Sequence, residues 1–152
     1  MTRVLVIAIA KPILVGIYKD DTLIETISKE GMTSDVLPTI FEKLLEQYNI
    51  DEILYVNGPG SFMAIKVSYI FLKTLCILED INLKATKGFA FNKNSPIKAL
   101  GKKYFFNDKD DNIIIDFLQE EDIIQEFTLP NTLNMKMFSE DSLPSYNLPA
   151  VN

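Results

Sequence analysis

The sequence contains no histidine and only one cysteine, Cys76. The commonest general base and the commonest nitrogen ligand for a metal are therefore missing. A Ser-His-Asp or Cys-His nucleophile is excluded by composition. A zinc centre is excluded with it, because no Cys/His cluster can be assembled. One cysteine cannot close an internal disulfide, and a cytoplasmic protein is the expectation. Long apolar runs are lacking as well. The longest, Phe62 to Leu78, is interrupted by Lys66, Ser68, Lys73 and Thr74, whereas a membrane span needs about 18 or more uncharged apolar residues. At the amino end Val4 to Ala10 meets Lys11-Pro12 before it reaches the length of a secretory core. No membrane association is expected.

What is present suffices for a core. The 152 residues are 47% hydrophobic, enough for one domain, or for one and a shrunken second. The net charge of −6 argues against an autonomous nucleic-acid binder, which would neutralise phosphates with a basic surface. The charge is uneven, however. Between Ile81 and Asn107 lie six lysines (Lys84, Lys87, Lys93, Lys98, Lys102 and Lys103) and no acids, whereas Asp108 to Glu126 holds eight acids and only Lys109. Two readings fit this block. One is a solvated lysine-rich surface beside an acidic hairpin; the other is a basic strip lying near RNA that a partner holds.

Periodicity places the elements. Arg3 to Ile9 is a β-branched run of the kind buried on both sheet faces. Ile13 to Lys19 and Thr22 to Ile27 are strands joined by an Asp20-Asp21 hairpin turn. A helix is predicted over Thr33 to Asn49, with Thr33, Ser34 or Asp35 as its cap and Pro38 in or just beyond the first turn. Its apolar positions, among them Phe41, Leu44, Leu45 and Tyr48, cover an arc of about 180°, wider than the roughly 100° that one sheet requires. The excess predicts a second surface to cover. Asp51 to Asn57 is a strand, and a long helix runs from Ser61 to about Glu79. That helix is apolar nearly all round, with Met63, Ile70 and Ile77 set among Lys66, Lys73 and Thr74 on its third face. Either residues 84–152 cover this face or a partner does. Beyond it come a short strand at Leu83 to Thr86, a hairpin of Lys98 to Phe106 with Ile113 to Leu118, and a proline-containing tail that wraps the surface.

Between the fourth strand and the long helix stands Gly58-Pro59-Gly60-Ser61-Phe62. Two glycines permit a sharp turn and a close backbone approach, and Ser61 suits the helix cap. A helix start of this kind is a potential anion site, but the Gly-Lys-Ser/Thr ending of a P-loop and the dinucleotide-binding glycine spacing are both absent.

With its flanks, the segment is more specific. Asn57-Gly-Pro-Gly-Ser-Phe-Met-Ala-Ile-Lys-Val-Ser68 resembles the signature Gly-x-Gly-Pro-Gly-Ser-Phe-Thr-Gly-x-Arg of the TsaB (YeaZ) family. The first strand Val4 to Ile7, the hairpin and Leu37-Pro38 fall in the same order. Leu143-Pro-Ser-Tyr-Asn-Leu148 is similar to the Pro-x-Tyr-Leu near that family's end. The resemblance covers residues 1 to 90 and fades beyond. It implies an actin/hexokinase-like, ribonuclease H-like lobe over residues 1–82 and a reduced second α/β lobe over 83–152.

The resemblance also implies a function. TsaB-like proteins are non-catalytic scaffolds in the complex that forms N6-threonylcarbamoyladenosine beside the tRNA anticodon. They pair with the transferase TsaD through the two helices, are joined by the ATPase TsaE, and self-associate through the same surface when alone. The implied partner face comprises Met63, Lys66, Ile70, Lys73 and Ile77 with Phe41, Leu44, Leu45 and Tyr48. No cofactor is implied for the isolated subunit, a nucleotide could sit only at the partner boundary, and tRNA is met only through the complex. Several positions depart from the family pattern. Ala8 and Ile9 stand where an Asp-Thr pair usually ends the first strand, Met63-Ala64 replaces Thr-Gly, Lys66 replaces Arg, and Met32 replaces a frequent histidine. Without a carboxylate at position 8 nothing at the end of that strand can hold a hydrated Mg²⁺, so hydrolysis by this chain alone is not expected. A small-molecule kinase or hydrolase would need an acid beside the glycine turn; Asp51 and Glu52 lie at the wrong end of their strand, and Asp35 suits a helix cap. A homodimeric regulator without a tRNA role is a third reading.

Overall fold

A computed structural model describes residues 1–147. Leu148, the last residue of the family-like ending, lies outside them. Three strands open the chain: β1 (Thr2–Ile7), β2 (Ile13–Lys19) and β3 (Thr22–Lys29). The turn between β2 and β3 has positive φ at both Asp20 (48°) and Asp21 (65°), the mirror-image turn that matches strand twist. Then follow α1 (Thr33–Gln47), β4 (Glu52–Val56), α2 (Phe62–Glu79) and β5 (Asn82–Thr86). The five strands form one sheet in the order β3-β2-β1-β4-β5, antiparallel through the opening meander and parallel from β1 through β4 to β5.

Alternation along β1 explains the layers. Val4, Val6 and Ala8 face a core shared with α1 and α2, while Leu5, Ile7 and Ile9 face a second core on the opposite side. That second core is completed by Phe89, Phe91, Ile97, Phe105, Leu133 and Phe138. Residues 88–147 thus pack side chains onto this face of the first sheet. They include a three-stranded antiparallel sheet, β6 (Ile97–Lys98), β7 (Lys103–Asn107) and β8 (Ile113–Phe117). A continuous strand over Lys98 to Phe106 was the expectation; a turn with Gly101 at φ 59° divides it.

The tail does wrap the surface. It pairs with the β2–β3 turn through Leu133 N–H to Asp21 O at 2.9 Å, and with the free edge of β5 through Ala85 and Ser139. Covering an edge strand removes a template for unwanted strand pairing. At the amino ends of the strands the buried Glu52 carboxylate accepts from Arg3 Nε at 2.8 Å and Asn82 Nδ2 at 2.9 Å, and pairs with Lys84 at 3.3 Å. Burial alone would raise the Glu52 pKa; the bonds from Arg3, Asn82 and Lys84 outweigh it and hold the carboxyl below its ordinary value.

The start of α1 differs from expectation. Its N-cap is Met32, which makes no side-chain cap bond, and Asp35 lies within the first turn. A carboxylate there still meets the positive end of the helix dipole.

Candidate functional site

The end of β4 delivers the chain into the glycine turn, and the turn is engaged by the protein itself. Residues 142–146 cross it as a strap. Ser145 N–H donates to Asn57 O at 2.8 Å, Asn57 Nδ2 donates to Leu143 O at 2.9 Å, and Tyr55 Oη donates to Ser142 O. Gly58, at φ 140°, lies so close to the Ser145 carbonyl that an added Cβ would overlap its oxygen. This is the physical reason for glycine there: the backbone conformation and the contact each exclude a side chain. Ser61 caps α2 as expected, its Oγ accepting from Ala64 N–H at 3.4 Å. Phe62, the first helical residue, stacks on Tyr146 of the strap with ring centroids 4.5 Å apart.

Ile9, just past the end of β1, packs against the glycine turn. Its side chain would be 3.0 Å from a Cβ at Gly60 and 2.6 Å from one at Gly88, so it rests directly against both backbones. An aliphatic group occupies the place where the resemblance puts a polar residue. Among the described residues no three His, Cys, Asp or Glu side chains are grouped to hold a metal ion.

The third face of α2 is open. Met63 is 61%, Ile70 54% and Ile77 69% exposed among the described residues. Met63, Lys66, Ile70, Lys73 and Ile77 recur at alternating three- and four-residue steps, the spacing of a helical seam. Beside this stripe a groove of about 420 Å³ runs between the helices, lined by Ser34 and Pro38 of α1 and by Val67, Ile70, Phe71 and Leu78 of α2. Of the α1 residues assigned to the partner face, two belong elsewhere. Phe41 and Leu44 are each 1% exposed in the core, with Phe41 packed on Phe71 at 5.9 Å between centroids. Leu45 and Tyr48 are half-buried against the same core, and Tyr48 Oη donates to Glu25 Oε1 at 2.8 Å. The wide apolar arc of α1 is used within the chain because this helix meets α2 as well as the sheet.

The lysine block divides too. Lys84 is taken up by Glu52 and Glu140 and offers no free charge. Lys87, Lys93, Lys98, Lys102 and Lys103 are exposed. Lys87 borders a cleft of about 810 Å³ that also contains Asn57, Asn94, Asp111 and Asp141. Lys98 sits 5.4 Å over Tyr104 and Lys103 sits 5.4 Å over Phe117. Lys98 and Lys103 belong to the second sheet, while Lys87 follows β5 next to Gly88, which bonds to the glycine turn. Sequence reasoning missed the strap contacts altogether; the similar ending at Leu143 to Tyr146 marked the segment but not what it touches.

Solved structures carry this architecture. YeaZ from Pseudomonas aeruginosa superposes with a TM-score of 0.60 at 12% identity, covering 85% of this chain and 65% of its own. The chain has the YeaZ fold. It is an α/β fold of the actin/hexokinase type. A second structure, an uncharacterized protein with similarity to peptidase YeaZ from Pseudomonas aeruginosa, gives a TM-score of 0.59 at 13% identity, covering 82% of this chain and 62% of its own. The chain thus spans somewhat less than two thirds of the length of these YeaZ-fold structures. No protein-family model matches the sequence, nor does any curated protein. Among the described residues no helix of this YeaZ-like fold is long and apolar enough to cross a membrane.

Proposed function

We propose that this chain is a non-catalytic scaffold of the TsaB type. It acts in the cytoplasm within the complex that makes N6-threonylcarbamoyladenosine beside the tRNA anticodon, and its partner is a TsaD-like transferase. One observation carries the reading: among the described residues nothing covers the seam of Met63, Ile70 and Ile77, which are all exposed. Anchors of this size stabilise an interface by about 1.5–3 kcal/mol each when fully buried, less the cost of association. Lys66 and half-buried Lys73 flank them, so a partner helix with apolar and acidic positions fits best. α1 of the chain itself exposes acidic positions, Asp35, Glu42 and Glu46, beside Lys43. Self-association through the same face in the partner's absence is what the TsaB resemblance implies. A TsaE-like ATPase completes the assembly, and tRNA is reached through the complex.

A pseudoenzyme reading is supported by Ile9, which packs on Gly60 and Gly88 where phosphate handling would need a polar end to the strand. A nucleotide at the boundary with the partner stays compatible with this arrangement. A hydrolase or small-molecule kinase has less support. Asp51 accepts from Thr2 N–H at 2.7 Å and Glu52 is held by Arg3, both at the amino end of the sheet. ATPase or peptidase activity of the isolated chain, lost on changing Ser61, would favour that alternative.

The test is co-purification of the TsaD-like protein with wild type and with Ile70→Glu. The variant should fold as wild type and lose the complex. Undiminished complex with a folded Ile70→Glu would overturn the proposed face.

A further inference from the structure

Both edges of the first sheet are met by the chain itself. Leu23 N–H of β3 donates to Asn131 O at 2.9 Å, and Ala85 of β5 exchanges bonds with Ser139. β8 is the outer strand of the second sheet, and its far side has no main-chain partner among the described residues. The bond from Asp108 N–H to Asn112 O sets the ladder between β7 and β8. Hydrogen-bonded pairs alternate in an antiparallel ribbon, so Ile114 and Asp116 bond to β7 while the main-chain groups of Ile113, Ile115 and Phe117 point outward. Phe117 is satisfied locally: its N–H donates to Asp116 Oδ1 at 2.7 Å and its carbonyl accepts from Gln119 Nε2 at 3.4 Å. Ile113 and Ile115 keep their outward N–H and C=O groups open.

The strand offers side chains as well. Ile113 and Ile115 lean on the second core, Ile114 and Phe117 are exposed, and a hollow of about 570 Å³ opens beside Leu100, Ile115 and Phe117. A bare edge of this composition is a template for pairing. Acids surround it. Asp110 and Asp111 precede the strand, exposed Asp116 lies within it, and Glu120 and Glu121 follow it, with Lys109 the one cation on these flanks. Lys103, on β7, is turned onto the Phe117 ring. Two copies paired antiparallel about Ile115 would set Asp110 of one against Glu120 of the other. The edge therefore repels a second copy, and a nucleic acid as well.

We propose that β8 is a docking edge for an extended, basic segment of another protein, which joins the second sheet as an antiparallel fourth strand. The main chain of that segment pairs with Ile113 and Ile115. Its residue opposite Asp116 is basic, those opposite Ile114, Ile115 and Phe117 are apolar, and its ends carry cations against the two acidic flanks. The inference is independent of the α2 face and of the scaffold reading.

The probe is the peptide Lys-Lys-Val-Lys-Val-Val-Val-Lys-Lys, fluorescently labelled at its amino end and amidated at the other. It is titrated into the full chain by anisotropy at physiological ionic strength, with thermal melts of each variant as the folding control. Saturable binding is expected, and hydrogen exchange at the Ile113 and Ile115 amides should slow by about tenfold or more in the complex. N-methylation of the fifth and seventh peptide residues, placed opposite Ile115 and Ile113, should weaken binding about tenfold, the scale of losing two main-chain bonds. Exchanging the peptide's lysines for glutamates should weaken it at least as much. Asp116→Lys should weaken it about tenfold with the melt unchanged. Should that variant lose its fold, Glu120→Lys, outside the strand, replaces it and must also weaken binding. Absence of binding overturns the proposal. Equal binding by the N-methylated peptide overturns it as well, marking a contact of charge alone. If a chain ending at Asn147 binds the peptide and the full chain does not, residues 148–152 are the occupant and the proposal is wrong. A dimer of the full chain in sedimentation, with the Ile113 and Ile115 amides protected in it, would make the occupant a second copy and overturn it too.

Discussion

Replacing Gly58 by alanine should release the strap. At φ 140° an alanine is strained by about 1–3 kcal/mol. Its Cβ would overlap Ser145 O and lie 3.0 Å from the carbonyl carbon, which is backbone and cannot rotate away. The strap must lift, and the Ser145–Asn57 and Asn57–Leu143 bonds, each contributing about 0.5–1.5 kcal/mol, go with it. The Tyr146–Phe62 stack contributes a further 0.5–1.5 kcal/mol or so. A loss of about 3–5 kcal/mol is a large share of the roughly 5–15 kcal/mol that holds a domain folded. In urea it should move the midpoint down by about 2 M at a slope near 2 kcal/mol/M. Two controls isolate the cause. Gly101→Ala shares a positive φ of 59° but meets nothing within 4 Å, so it should cost only about 1–2 kcal/mol. In a chain ending at Asp141, Gly58→Ala should cost its backbone strain alone, leaving a coupling energy of about 2 kcal/mol between turn and strap. Fully additive losses, or a Gly58→Ala midpoint within error of wild type, would refute the account of this turn.

Other perturbations have defined outcomes. Glu52 has a folded pKa below its ordinary 4.5, so the stability it contributes is present above that value and lost as pH falls through the folded one. Glu52→Gln should cost about 1–3 kcal/mol at pH 7 and flatten the acid limb of the stability curve measured by denaturant titration. Ile9→Asp places a carboxylate against Gly60 and Gly88 without a partner; about 2–4 kcal/mol should be lost, with no phosphate release from ATP gained. Burial pushes the Cys76 thiol up to about 11, against a smaller opposing effect of Lys73. Its reaction with a thiol reagent at pH 8 should be about a hundredfold slower in the native protein than in urea.

The sheet was legible because its signals are local. β2 begins and ends where alternation and the two aspartates place it, and β1 reads as buried on both faces because it is. Gly101 was harder, since a single glycine within Lys98 to Phe106 does not by itself announce a turn. On α2 the seam could be read from composition, because lysines interleaved with aliphatics rarely face a core. On α1 the same counting misled: Phe41 and Leu44 are as apolar as interface anchors, and only tertiary structure shows that α2 covers them. Lys84 was misread for a related reason, its acids Glu52 and Glu140 lying far off in sequence. The strap was invisible because the groups it offers, the carbonyls of Ser142 and Leu143 and the N–H of Ser145, are main-chain atoms that carry no sequence signal, while their partners Tyr55 and Asn57 lie more than 80 residues away.

The scaffold claim is tested most directly by following methyl resonances of the full chain while the TsaD-like protein is added. Met63, Ile70 and Ile77 should shift or broaden together, while Ile53 and Ile65, buried in the two cores, stay in place. Methyls of the α2 stripe that remain unmoved while a complex forms, with the changes gathered instead around Lys87 and the cleft beside it, would contradict it.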